Sequence, residues 1–140
     1  MSEPIVIVEQ VHKEYATGGG PVKVLHGVDF EVAPGDFVSF VGPSGSGKST
    51  LLNLLAGLDQ PTSGRIIVGD QVVSEMDEAT VARWRSAHVG FVFQAFHLIP
   101  VLSAYENVEL PLLLLSTSAT RRREQVRTAL ELVGLSHRLG

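Results

Sequence analysis

The stretch Gly42-Pro43-Ser44-Gly45-Ser46-Gly47-Lys48-Ser49-Thr50 decides the fold. It fits the pattern G-x-x-x-x-G-K-[ST], with an apolar run before it (36–41) that reads as a strand and one after it (48–56) that reads as a helix. Gly42, Gly45 and Gly47 allow positive φ and keep Cβ atoms out of the way, so backbone N–H groups can close on an anion. The loop opens a helix, so unpaired first-turn N–H groups and the positive end of the helix dipole face the same charge. Lys48 adds a cation suited to the β- and γ-phosphates, and the Ser49 hydroxyl can ligate Mg2+. ATP or GTP is the implied ligand. The bland alternative is a Gly/Ser-rich surface turn with a solvated lysine.

Strand, loop and helix form the first unit of an α/β fold. The run 36–41 is nearly all apolar, as expected of a strand buried on both faces of a parallel sheet. In the helix, Leu51, Leu52, Leu54 and Leu55 make a wide apolar face, Gly57 suits the C′ position and Pro61 prevents resumption. Upstream, 5–11 and 22–32 read as strands around the turn signal Gly18-Gly19-Gly20-Pro21, which suggests an antiparallel hairpin. Downstream, Gly69-Asp70 between two short strands suits a type II′ turn, a reading favoured over a metal-binding aspartate at a strand end.

Asp77 is placed to cap a helix through Arg85, with Met76 and Val81 at staple positions. Residues 89–93, Val-Gly-Phe-Val-Phe, read as another buried strand, and Gln94 follows at its carboxyl end, where open α/β sheets bind ligands. Beyond it the chain turns helical: Ser103-x-x-Glu106 is a capping box, Pro111 must kink or restart the helix, and 120–133 carries Val126, Ala129, Leu130 and Val133 on one face. Two helices without an intervening strand suggest a separate lobe. Arg121-Arg122-Arg123 at the second helix start reads as a solvated end rather than a nucleic-acid patch.

Bulk properties narrow the class. The chain has 140 residues, 44% of them hydrophobic, enough for a packed core. Its net charge of −4 offers no electrostatic footprint for nucleic acid or an anionic membrane. It has no cysteine, which excludes disulfides and thiolate metal sites. No run reaches the roughly 18 apolar residues of a spanning helix, so no membrane insertion of its own is expected. A cytoplasmic protein is the reading.

The order of these parts resembles the ATP-binding subunit of an ABC transporter. The residues that carry the resemblance are the phosphate loop, the Leu-rich helix, Gly64-Arg65-Ile66, and the Phe-Gln junction at Phe93-Gln94. The later strings Phe96-His97-Leu98-Ile99-Pro100, Glu106-Asn107-Val108 and Leu110-Pro111-Leu112 look like the lipoprotein-releasing and macrolide-exporting branch. The resemblance implies a P-loop NTPase core with an antiparallel β subdomain over 1–94 and part of a helical subdomain over 95–140. It implies ATP and Mg2+ as ligands, a transmembrane permease subunit as partner, a second ATP-binding subunit completing a homodimer, and a place on the inner face of the cell membrane.

Roles carry over with it. Lys48 and Gln94 are the implied catalytic positions; Gln94, with Ser49, would approach Mg2+ and the attacking water and link the site to the membrane subunit. Tyr15 corresponds to the aromatic that stacks on adenine, a contact of roughly 1–3 kcal/mol. The alternatives are a hairpin tyrosine with a wet hydroxyl, a satisfied strand-end amide at Gln94, and core packing rather than permease docking for 96–102. The family's signature loop, Leu-Ser-Gly-Gly-Gln, is expected after the second lobe helix, where this sequence reads Leu135-Ser136-His137-Arg138-Leu139-Gly140. The signature loop, the second acidic strand with its catalytic glutamate and the switch histidine are not found, so the chain reads as the N-terminal part of such an ATPase, with negligible turnover alone. A non-hydrolysing regulatory module and a different P-loop enzyme, a kinase or GTPase, are the competing readings.

Overall fold

The computed structural model describes residues 3–138; Leu139 and Gly140, the last residues of the string read against the signature loop, lie outside them. The chain divides into two compact units, Met1–Phe91 and Val92–Gly140.

In the first unit, β1 (Val6–Thr17) and β2 (Gly20–Val32) form the expected antiparallel hairpin, longer on the β1 side than the β-branched run alone indicated. β3 (Ser63–Val68) pairs with the other edge of β1, and β4 (Gln71–Val72) pairs with β3, giving the order β2-β1-β3-β4. Val68 faces Gln71 across Gly69-Asp70. Gly69 has φ 59° while Asp70 stays at negative φ, as a type II′ turn requires.

Helix α1 (Lys48–Leu55) lays its apolar face on this sheet. Leu51 and Leu54 join Val8, Val11, Leu25 and Ile66 in one buried cluster. Period 3.6 on the helix and period 2 on β1 place these side chains on facing surfaces. Gly57 takes φ 65° just beyond the helix, as expected of C′. Helix α2 (Glu78–His88) starts at Asp77, whose carboxylate accepts from the Thr80 N–H at 2.9 Å. It buries Val81 and Trp84 against Val73, with Met76 and Val89 alongside.

Two expected strands do not join this sheet. Segment 36–41 leaves a turn in which Asp36 accepts from the Ala33 N–H. It packs Phe40 edge-on to Phe30 at 5.4 Å, yet leaves Phe37 98% and Val41 93% exposed. Segment 89–93 leaves Val92 97% exposed. The reason is topological: a parallel-type strand has no hairpin partner and is held only by neighbours distant in sequence. Among the described residues every ladder is antiparallel and local to the hairpins and β1.

In the second unit, α3 (Ala104–Glu109) carries the capping box in full: the Glu106 N–H donates to Ser103 Oγ and the Ser103 N–H to Glu106 Oε2. Pro111 converts the continuation to a 3₁₀ turn, Leu110–Leu114. Helix α4 (Ala119–Leu132) buries Val126 and Leu130, and Arg122 bonds Glu109 at 2.8 Å, so one member of the arginine cluster is tied to α3 rather than solvated.

The centre of β1 carries a bulge. Register shifts flank Gln10 on both partners, and Gln10 holds φ 45°, rare outside glycine. Asp29 secures it, accepting from the Gln10 backbone N–H at 2.7 Å and from its side-chain amide. Across the other edge, a Cβ on Gly64 would run into the backbone carbonyl of Gln10, and Gly64 itself sits at φ +90°. Gly64→Ala is therefore expected to destabilise the chain by about 2–4 kcal/mol, whereas Gly69→Ala, in open space at positive φ, costs only about 1–2 kcal/mol. Urea midpoints of the two variants, compared at equal m-value, test the ranking.

Candidate functional site

The loop 42–50 is built by close approach as much as by φ. Gly45 and Gly47 have φ 81° and 89°, but Gly42 does not lie at positive φ, against the sequence expectation for all three. Its constraint is steric: a Cβ on Gly42 would meet Ser46 Oγ at 2.9 Å. Gly47 serves both purposes, because a Cβ there would meet Leu25 Cδ2 at 2.8 Å and the Val24 carbonyl at 3.1 Å. Gly47 is the N-cap of α1 in the left-handed region, and no side chain caps it. The first-turn N–H groups are thereby presented at the loop, with the helix dipole behind them.

Lys48 folds back across the loop. Its Nζ donates to the Gly42 carbonyl at 2.8 Å, the Pro43 carbonyl at 2.7 Å and Ser46 Oγ at 3.2 Å. Pro43 also accepts from the Ser46 N–H at 3.3 Å. The ammonium thus lies over the concave backbone that the glycines open. Ser44 and Ser49 are exposed and Thr50 is half-buried. A metal held here would have the Ser49 hydroxyl within the same turn as Lys48, and the Cβ-free cradle at Gly42, Gly45 and Gly47 fits a polyphosphate. Hard oxygen donors of this kind suit Mg2+.

Tyr15 belongs to the same unit and reaches the same helix. Its hydroxyl donates to Asp59 Oδ2 at 2.8 Å, and the Thr50 side chain lies near enough to lower its pKa. The hydroxyl thus has a protein partner, while the residue itself stays 38% exposed. Behind the ring stands Lys13, its Nζ 4.7 Å from the ring centroid and 2.7 Å from Asp59 Oδ1. Burial raises the Tyr15 pKa, and the hydrogen bond it gives Asp59 raises it further, while Thr50 opposes this. For Asp59, burial pushes upward, but the bonds from Lys13, Tyr15 and the Gln60 backbone outweigh it and the net shift is downward.

Gln94 is exposed in the second unit, just after Phe93, whose ring meets His97 edge-on at 4.6 Å. Segment 96–102 is exposed at Phe96 and Val101 rather than packed as core. Asn107 ties this segment to α3, accepting from the Ile99 N–H at 2.8 Å and donating to the Leu102 and Ser103 carbonyls. A concavity of about 770 Å³ lies elsewhere, lined by Gly57, Asp59, Gln60, Met76 and Arg85 among others and including no residue of the phosphate loop. Two of its polar groups are engaged in structural bonds: Arg85 donates to the Gly57 carbonyl at 2.6 Å and Gln60 to the Met76 carbonyl at 2.9 Å.

Sequence reading missed Lys13 and Asp59. One signal was present. Alternation from buried Val11 puts Lys13 on the inward face, and an inward lysine requires an anionic partner.

A glycine-opened helix on an α/β scaffold, with its lysine laid over the loop, defines a P-loop nucleotide-binding fold. The pattern of the ABC transporter family matches residues 25–139, and the chain belongs to that family. It is 49% identical over 139 residues to the lipoprotein-releasing system ATP-binding protein LolD of Hahella chejuensis, covering 99% of this chain and 60% of that protein. It is 41% identical over 138 residues to the macrolide export ATP-binding/permease protein MacB 2 of Aeromonas hydrophila, 99% of this chain and 21% of that one. The fold superposes with TM-score 0.83 and 39% identity on a dimeric post-hydrolysis state of the ATP-binding cassette MJ0796 bound to ADP and Pi, covering 92% of this chain and 57% of that one. The chain thus spans about 60% of the length of the LolD relative. No helix among the described residues is long and apolar enough to cross a membrane.

The depressed Asp59 pKa sets a pH dependence. A carboxylate lowered in the folded state contributes stability that is present above its unfolded pKa, about 3.9, and lost as pH falls through the lower folded value. The titratable groups facing it are the Lys13 ammonium and the neutral Tyr15 hydroxyl. Asp59→Asn should therefore be less stable than the parent at about pH 7 and converge with it near about pH 2. Thermal melts across that range test the sign.

Proposed function

We propose that the chain is the nucleotide-binding portion of an ABC transporter ATP-binding subunit, coupling ATP binding and hydrolysis to export or lipoprotein extraction. The observation that carries this reading is the Lys48 ammonium laid over a Cβ-free loop at an uncapped helix start. The glycine-opened backbone of 42–47 cradles the polyphosphate, Lys48 exchanges its loop carbonyls for phosphate oxygens, and Tyr15 supports adenine. Bound Mg2+ supplies charge neutralisation on the β- and γ-oxygens. Ser49 is the residue of the first unit proposed to hold it; Gln94 is proposed, from the family resemblance alone, to act at Mg2+ and the attacking water.

Residues 1–94 then act as the β subdomain and phosphate-loop core, and 95–140 as part of a helical subdomain. The partners proposed with it are a permease subunit, met through the exposed segment around Phe96 and Val101, and a second ATP-binding subunit in a homodimer. The protein would work at the cytoplasmic face of the membrane. These 140 residues contain no Leu-Ser-Gly-Gly-Gln string. We infer that binding, rather than rapid turnover, is what they perform alone, since a general base typically contributes about 10²–10⁴-fold.

Lys48→Ala removes charge-assisted bonds of about 1.5–3 kcal/mol and should weaken ATP binding by calorimetry roughly ten- to a hundredfold. Unchanged affinity would contradict the cradle. A phosphate-release assay on the chain should show turnover far below about 1 s⁻¹, the low end for typical enzymes; a rate at or above it would show that the chain carries its own general base.

A further inference from the structure

We propose that Lys13 and Asp59 are positioning residues for base recognition: they hold the Tyr15 ring as a one-sided platform, leaving its outer face to stack a purine. This rests on the nucleotide reading of the phosphate loop above.

The geometry is specific. Lys13 is 9% exposed, unusual for a lysine, and its three protons have built partners: Asp59 Oδ1 at 2.7 Å, the Gln60 carbonyl at 2.7 Å, and the Tyr15 ring. Asp59 divides its two oxygens, one for Lys13 and one for the Tyr15 hydroxyl. Ring and hydroxyl are thereby fixed independently, which removes both the tilt and the rotation open to a hairpin tyrosine. Tyr15 remains 38% exposed, so with Lys13 on its inner side the uncovered area lies outward.

The platform is also tied to the phosphate loop. Lys13 is paired across the ladder with Leu25, whose side chain lies against Gly47, and the Thr50 side chain, last of the loop pattern, lies near enough to the Tyr15 hydroxyl to lower its pKa. The segment carrying Asp59 is clamped to β1 by Thr62, whose N–H donates to the His12 carbonyl at 2.9 Å and whose Oγ1 accepts from the Glu14 N–H at 2.9 Å. An ion pair needed only to join β1 to this segment would duplicate the Thr62 clamp. What it adds is the orientation of one aromatic ring beside a phosphate cradle, with a cation behind the ring as in other cation–π pairs.

The test separates base from phosphate. Calorimetry on the full chain with ATP and with inorganic tripolyphosphate should show Asp59→Asn losing about three- to tenfold in ATP affinity, part of the full stacking contribution. Tripolyphosphate affinity should stay within about twofold, the scatter expected where no interaction is lost. Tyr15→Phe, which keeps the ring and cannot unfold the Lys13 pair, should show the same ATP-selective loss, and the double variant should lose no more than either single one. Equal losses for both ligands, or ATP affinity untouched in both variants, would overturn the proposal while leaving the phosphate cradle standing. A parent chain that binds neither ligand would overturn both.

Discussion

The site depends on how closely the start of α1 approaches β2. At Gly47 the backbone lies against the Val24 carbonyl and the Leu25 side chain with no space for a methyl group. That contact falls where the β1–β2 register shifts, between Lys13 and Glu14, so the strand turns an irregular edge toward the helix. From this seat α1 runs back across the sheet, and burial of Leu51 and Leu54 holds it there. Each buried leucine is worth about 2–5 kcal/mol against alanine. The direction of the helix dipole, and hence where an anion is favoured, follows from packing the helix by its apolar face with its first residue pinned at one point.

Two lysines show how environment divides one side-chain chemistry. Lys48 is bound to carbonyls and a hydroxyl, all neutral acceptors, so its charge is solvated by dipoles but not cancelled. It keeps a field that attracts phosphate. Lys13 faces a carboxylate at 2.7 Å with little water around it, and its charge is spent within the pair. Removing Asp59 alone would leave a buried, uncompensated cation, whose penalty exceeds what the pair itself contributes to stability.

Local signals read well and non-local ones poorly. The caps at Asp77 and Ser103, the Gly69-Asp70 turn, the Gly57 terminus and the phosphate loop each need only a few consecutive residues, and each was legible. The Gln10 bulge was not, because its requirement lies on two other strands, in Asp29 and Gly64. The Lys13–Asp59–Tyr15 cluster joins positions more than forty apart in sequence, and no periodicity encodes which acid an inward lysine will find. Arg122 misled for a similar reason: its partner Glu109 sits on another helix.

The two apolar segments that stay outside the sheet fit the same principle. A hairpin strand brings its partner within a few residues, so β1 and β2 close at small entropic cost and then supply an edge to β3. A strand of the parallel kind has no such neighbour, and its apolar composition states only that it will be covered, not by what. Segment 36–41 is half covered: Phe40 finds Phe30, and Phe37 and Val41, on the remaining positions, face water. The helix after the loop forms regardless, because its apolar face joins a buried cluster from β1, β2 and β3, against which Phe40 of the preceding segment also packs. The phosphate cradle is thus anchored on its helical side by the antiparallel sheet. That is why its glycines, Lys48 and Tyr15 converge within the first unit without the run 36–41 being part of any ladder.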